Sequence, residues 1–150
     1  EFNRMATFVQ VRSKDLAINL PQEKSDNSMF LGDPTGEVEA EYRKLMSFLE
    51  FEPMPEEGKE VATGVRTYRK IGTAQVIDCV IWTLNVEEGY SHEDAMQDAI
   101  ISNVLPQLEN LEQNNMSNVY LKAVEAFGER AKVSQALDRM RKSSMLSIFG

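Results

Sequence analysis

The chain holds one histidine, His92, and one cysteine, Cys79, so the residue types that most often move protons or attack electrophiles are each present once. A serine or cysteine triad needs a histidine oriented by an acid and facing its nucleophile. His92 instead falls among Glu93 and Asp94, in what reads as the first turn of a helix. Cys79 lies inside the most apolar run of the chain, Ala74 to Leu84. Thiolate chemistry requires an electropositive and partly open setting, and apolar surroundings raise a thiol's pKa, so packing is its expected role. Glu88, His92, Glu93, Asp94 and Asp98 offer metal donors, and Asp94 and Asp98 share a helix face. Gly89 interrupts the first pair, however, and neither a Glu-x-x-His pair nor a calcium-loop alternation of acids around a central glycine occurs. No phosphate-cradling glycine loop is present. A solvated acidic face is the expectation, and no catalytic residue, metal or cofactor is assigned. An enzyme with a carboxylate pair distant in sequence remains a third reading, which requires a deep pocket with converging acids.

Two charged patterns point to partners. Val61, Thr63, Val65 and Thr67 alternate with the residues between them, which predicts a strand over about 60–69. On such a strand Arg66, Tyr68 and Lys70 would form a cation–aromatic–cation row able to stack on bases and track phosphates. That gives a second reading, a nucleic-acid-associated regulator or nucleoprotein component. The net charge of −8 and pI near 4.7 weigh against it, and an edge strand guarded by charge gives the same pattern.

The other pattern is a charge boundary. From Ile71 to Leu121 there is no Lys or Arg against eight acids, whereas Lys122 to Gly150 holds six basic and three acidic residues. The second segment ends in Met145, Leu146, Ser147, Ile148, Phe149 and Gly150. Burying its four large apolar side chains would contribute about 6 to 12 kcal/mol. Ordering the six residues costs about 9 kcal/mol. The terms nearly cancel, so docking needs a preceding helix that has already ordered part of the segment. Arg139, Arg141 and Lys142 lie at the end of such a helix and, with Met145, Leu146, Ile148 and Phe149, form the expected partner-binding set. The alternatives are a tail folded back on its own core and, disfavoured by a small basic cluster and a short apolar stretch, insertion into a membrane surface.

The elements that must position these groups follow from spacing. One domain is expected over residues 5–142, with 1–4 a vector-derived extension and 143–150 an apolar C-terminal tail. Residues 7–20 read as a β-hairpin, and 21–33 as an exposed segment pinned at Met29-Phe30-Leu31. Asp33-Pro34 reads as the start of a helix running to about Glu50, stopped by Pro53 and Pro55. Residues 74–84 favour a buried helix over a strand by length alone. Ser91 caps a helix that continues, kinked or split, through Pro106 to Asn114-Asn115. Ser117 is expected to cap the next, which carries its period past Gly128 to about Lys142. The fold class expected is α+β, a small antiparallel sheet of the hairpin plus the strand near 60–69, packed with four or five helices.

The leading functional expectation is a non-enzymatic interaction or assembly protein, of the viral or phage structural or accessory kind, that self-associates as a homo-oligomer through its C-terminal helices. Opposite charges on the central stretch and the C-terminal helix make head-to-tail contact between copies reasonable. One cysteine leaves no intramolecular disulfide, so a reducing, cytoplasmic setting is expected. No apolar run reaches the ~20 residues of a membrane span.

Overall fold

A computed structural model describes Asp33 and residues 35–149, with side chains as far as Ser143. Among them five helices follow one another: α1 (Glu37–Leu49), α2 (Thr73–Leu84), α3 (His92–Asn103), α4 (Gln113–Phe127) and α5 (Lys132–Phe149). Two 3₁₀ turns, Val65–Thr67 and Leu105–Leu108, sit between them. No strand occurs among the described residues, so the fold is all-α and the α+β expectation is overturned. The expected hairpin over 7–20 lies outside the described residues.

Four of the five helices start on an identifiable side-chain acceptor. Asp33 caps α1 from a distance, its Oδ1 accepting from the Val38 amide at 3.2 Å and its Oδ2 from the Glu39 amide at 3.0 Å. A turn through Gly36, at φ 76°, delays the helix to Glu37. At α2 the Gln75 side chain reaches back to accept from the Gly72 amide at 2.9 Å, which settles residues 73–84 as helix. Ser91 Oγ accepts from the Asp94 amide at 3.0 Å, as an N-cap should. The start of α5 is capped from another helix: buried Gln97 of α3 accepts from the Val133 amide at 2.9 Å.

Pro106 does split the α3 stripe. The helix stops at Asn103, a 3₁₀ turn follows, and Asn110 at φ 67° redirects the chain. Helix α4 then begins at Gln113, so Asn114 and Asn115 open this helix and do not end the previous one, and Ser117 is buried inside it. Gly128, at φ 100°, ends α4 in a left-handed region open chiefly to glycine, and α5 is a separate helix.

The core joins Leu45, Phe48 and Leu49 of α1, Val76 and Cys79 of α2, Met96 and Ile100 of α3, Val119 and Ala123 of α4, and Val133 and Leu137 of α5. Phe48 meets Phe127 edge to face at 5.5 Å between centroids. Helix α5 packs mainly on α4, and α2 on α3. No described helix is long and apolar enough to cross a membrane.

Candidate functional site

The segment expected as a strand is a closed loop laid across α4. Glu50 and Gly64 meet at its neck. A Cβ built on Gly64 would stand 1.8 Å from the Glu50 carbonyl oxygen, so only glycine permits the approach. Thr67 Oγ1 accepts from the Glu52 amide at 2.8 Å and donates to the Glu52 carbonyl at 3.1 Å. Glu52 Oε1 accepts from the Gly64 amide at 2.8 Å and lies 3.1 Å from the Lys122 ammonium of α4. Asn118, fully buried, accepts from the Val61 amide through Oδ1 at 2.9 Å and from the Thr63 amide through its carbonyl at 3.0 Å. The alternating pattern therefore satisfies its amides with side chains and a helix carbonyl where a partner strand was expected.

This geometry separates the basic–aromatic row. The 3₁₀ turn at Val65–Thr67 replaces the two-residue alternation that would align it. Arg66 Nε donates to the Ile71 carbonyl at 3.1 Å, and the Tyr68 hydroxyl accepts from Asn118 Nδ2 at 3.1 Å while its ring packs on the core. Lys70 alone of the three is exposed. Arg69, outside the expected set, ties the loop to the second 3₁₀ turn by donating to the carbonyls of Gln107 at 3.0 Å and Glu109 at 3.4 Å.

The charge boundary is largely folded inward. Lys122 is buried against Glu52, and Lys132 at the start of α5 reaches Asp98 of α3 at 3.2 Å and the Tyr90 hydroxyl at 3.1 Å. The acidic stretch and the basic segment thus already meet within one chain. Further along α5, Asp138 accepts from Arg141 and lies 2.9 Å from Lys142. Hydrogen bonds from Lys142 and then Arg141 hold the Asp138 carboxyl below its ordinary pKa. The Arg141 guanidinium also lies 4.4 Å from the Tyr120 ring centroid. Of the six basic residues from Lys122 onward, Arg130 and Arg139 have no ion-pair partner among the described residues.

Arg139 edges the larger opening, a groove of about 680 Å³ between the end of α3, the second 3₁₀ turn and α5. Ile101, Leu105, Leu111, Met116 and Met140 give it an apolar floor, and Glu109 and Ser143 stand with Arg139 among its polar groups. Met145, Leu146, Ile148 and Phe149 continue α5 beyond it, since the helix runs on to Phe149 past the Lys142 end expected from spacing. The apolar groove was not legible, because its walls come from separate segments. Phe51 and Met54 were missed despite a readable signal, apolar residues set among helix-stopping prolines.

The single histidine and the single cysteine are both engaged. His92 Nδ1 pairs with Glu37 Oε1 at 2.8 Å. Among the described residues no cluster of His, Cys, Asp or Glu has the form of a metal site. A smaller cavity of about 290 Å³ brings Glu93 and Asp94 opposite Arg130 and Lys132. Burial, and then the Asp78 charge, push the Cys79 thiol up to about 12. At pH 8 the folded protein is therefore expected to leave Cys79 unmodified by a thiol-reactive dye while urea-unfolded protein reacts at once; equal rates would contradict the packing role.

No protein-family model, curated protein or solved structure matches the chain.

Proposed function

We propose that the chain is a non-enzymatic interaction or assembly protein that associates with copies of itself through the surface built by α5. The observation that carries this reading is the open apolar groove along α5, edged by an arginine with no ion-pair partner among the described residues, on a helix that continues into Met145-Leu146-Ser147-Ile148-Phe149. An apolar floor with a polar rim is the anatomy of a recognition surface. The helix also removes the objection raised by the near-zero balance for a free tail. Residues already in helical register have met much of their ordering cost before a partner arrives.

Sedimentation velocity of the full chain and of a version ending at Lys142 tests the reading. The full chain is expected to form oligomers at tens of micromolar and the shortened one to associate more weakly. If both sediment as monomers, self-association fails.

A further inference from the structure

The second partner of the groove has its own signature on the loop over residues 50–64. Phe51 is 73% exposed, Met54 66% and Val61 46%, the three most exposed large apolar side chains among the described residues. A soluble surface scatters such residues singly; here they fall on one loop. That loop is also acidic, with Glu50, Glu52, Glu56, Glu57 and Glu60 against Lys59. Glu52 is taken by Lys122 and Glu56 by Lys59, at 3.1 and 3.2 Å. Glu50, Glu57 and Glu60 keep no ion-pair partner among the described residues.

We infer that this loop of one copy seats its apolar side chains in the α3–α5 groove of a second copy, with its free carboxylates facing Arg139. The inference deepens the self-association reading and rests on it. Charge complementarity supports the pairing at the rim: the projection carries carboxylates without an ion-pair partner among the described residues, and Arg139 is the one cation among the residues lining the cleft, which also include one acid, Glu109. Size agrees, because a cleft of about 680 Å³ falls in the range that holds a drug-sized group, comparable to a few large side chains. The loop is also held in shape beforehand by its neck at Gly64, by Asn118 and by the Glu52–Lys122 pair. Little order is left to impose on docking.

None of the residues lining the groove belongs to this loop, so the loop does not fill the groove of its own copy. The loop is pinned to α4 at Asn118, whereas the groove takes Met116, two residues away and about 200° around the helix. Because the two patches differ, the contact is either exchanged reciprocally in a closed twofold dimer or passed head to tail into a ring or filament.

The test uses one variant for each half of the contact. Phe51→Ser/Met54→Ser removes the projection, and Arg139→Glu/Ser143→Glu reverses the groove's charge; all four positions are exposed. Glu57→Lys/Glu60→Lys is a second projection variant that leaves the apolar residues in place. Urea midpoints close to that of the unaltered chain establish folding. Each variant alone is expected to associate on the order of tenfold or more weakly. An equimolar mixture of a projection variant and the groove variant should form dimers and nothing larger, since only one intact contact remains between them. If the unaltered chain associates but the projection variants associate equally well, the inference is overturned while self-association stands, and residues 1–32 or the end of α5 become the occupant. Failure of the mixture to restore dimers also overturns it. If the unaltered chain is monomeric, the broader reading fails first.

Discussion

Gly64→Ala is expected to lower the unfolding free energy by roughly 3 kcal/mol. Gly64 has φ −68° and ψ 152°, a conformation open to any residue, so the penalty is purely steric. The added Cβ would stand 1.8 Å from the Glu50 oxygen, 2.7 Å from its carbonyl carbon and 2.8 Å from its nitrogen. These are backbone atoms and no rotamer change relieves them, so the neck must open. Opening it separates Gly64 from Glu52 and pulls the loop off Asn118 and Lys122. With a urea m-value of about 1 to 3 kcal/mol per molar, the midpoint should fall by at least about 1 M. Gly58→Ala is the matched control. It meets no atoms but has φ +84°, so it should lose only about 1 to 2 kcal/mol from left-handed strain. Midpoints that fall equally for both would show that the close approach is not what the neck depends on.

Lys122→Met should cost about 2 to 3 kcal/mol and should respond to pH in the opposite way from a lost carboxylate. The Lys122 side chain is only 8% exposed, and removing it strands Glu52 beside Gly64 without its counter-charge. Breaking a fully buried pair costs about 3 to 5 kcal/mol. The lower figure applies because Glu52 keeps 27% exposure and water screens what remains. Lys122→Met/Glu52→Gln should recover part of the loss, since the Gln carbonyl can still accept from the Gly64 amide. Burial pulls the Lys122 pKa down. The Glu52 hydrogen bond and the charges of Glu52, Glu50 and Glu125 outweigh it and hold the pKa above its ordinary 10.5. A folded pKa above the unfolded one means the pair's contribution is complete below about 10.5 and is lost as pH rises through the folded value. The stability gap between the unaltered chain and Lys122→Met should therefore be flat through neutral pH and narrow above about 10.5 in urea titrations. A gap that narrows instead on acidification from neutral to pH 5 would assign the effect to other groups.

How far the fold could be read from the sequence depended on where each residue finds its partner. Ser91 and Asp33 act on amides within six residues and their caps were legible, whereas Gln75, three residues from the amide it accepts from, was not read as a cap. The buried run over 74–84 resolved as a helix whose Cys79 has no exposed side chain. The segment over 60–69 misled because alternation is a local signal and its cause here is not local. Val61 answers to Asn118, 57 residues on, and Gly64 answers to the Glu50 backbone. Asn114-Asn115 misled for a related reason, since residues that favour turns and caps also fit a first helical turn. The boundary at Lys122 was correctly located but faces inward at its first residue, where Glu52 waits. For the candidate site, Arg139 was legible as a basic helix residue, whereas the groove it edges is assembled from segments that only the fold brings together.

The clamps along α5 also set a geometry. Gln97 grips its first turn at Val133, and Asp138 with Arg141 against Tyr120 grips its middle. Beyond Lys142 the helix runs seven more residues, to Phe149, and at 1.5 Å per residue that adds about 10 Å to its length. Two anchors fix the axis of α5 up to that point, so a partner gripping the segment past Lys142 would be placed along the line the helix sets.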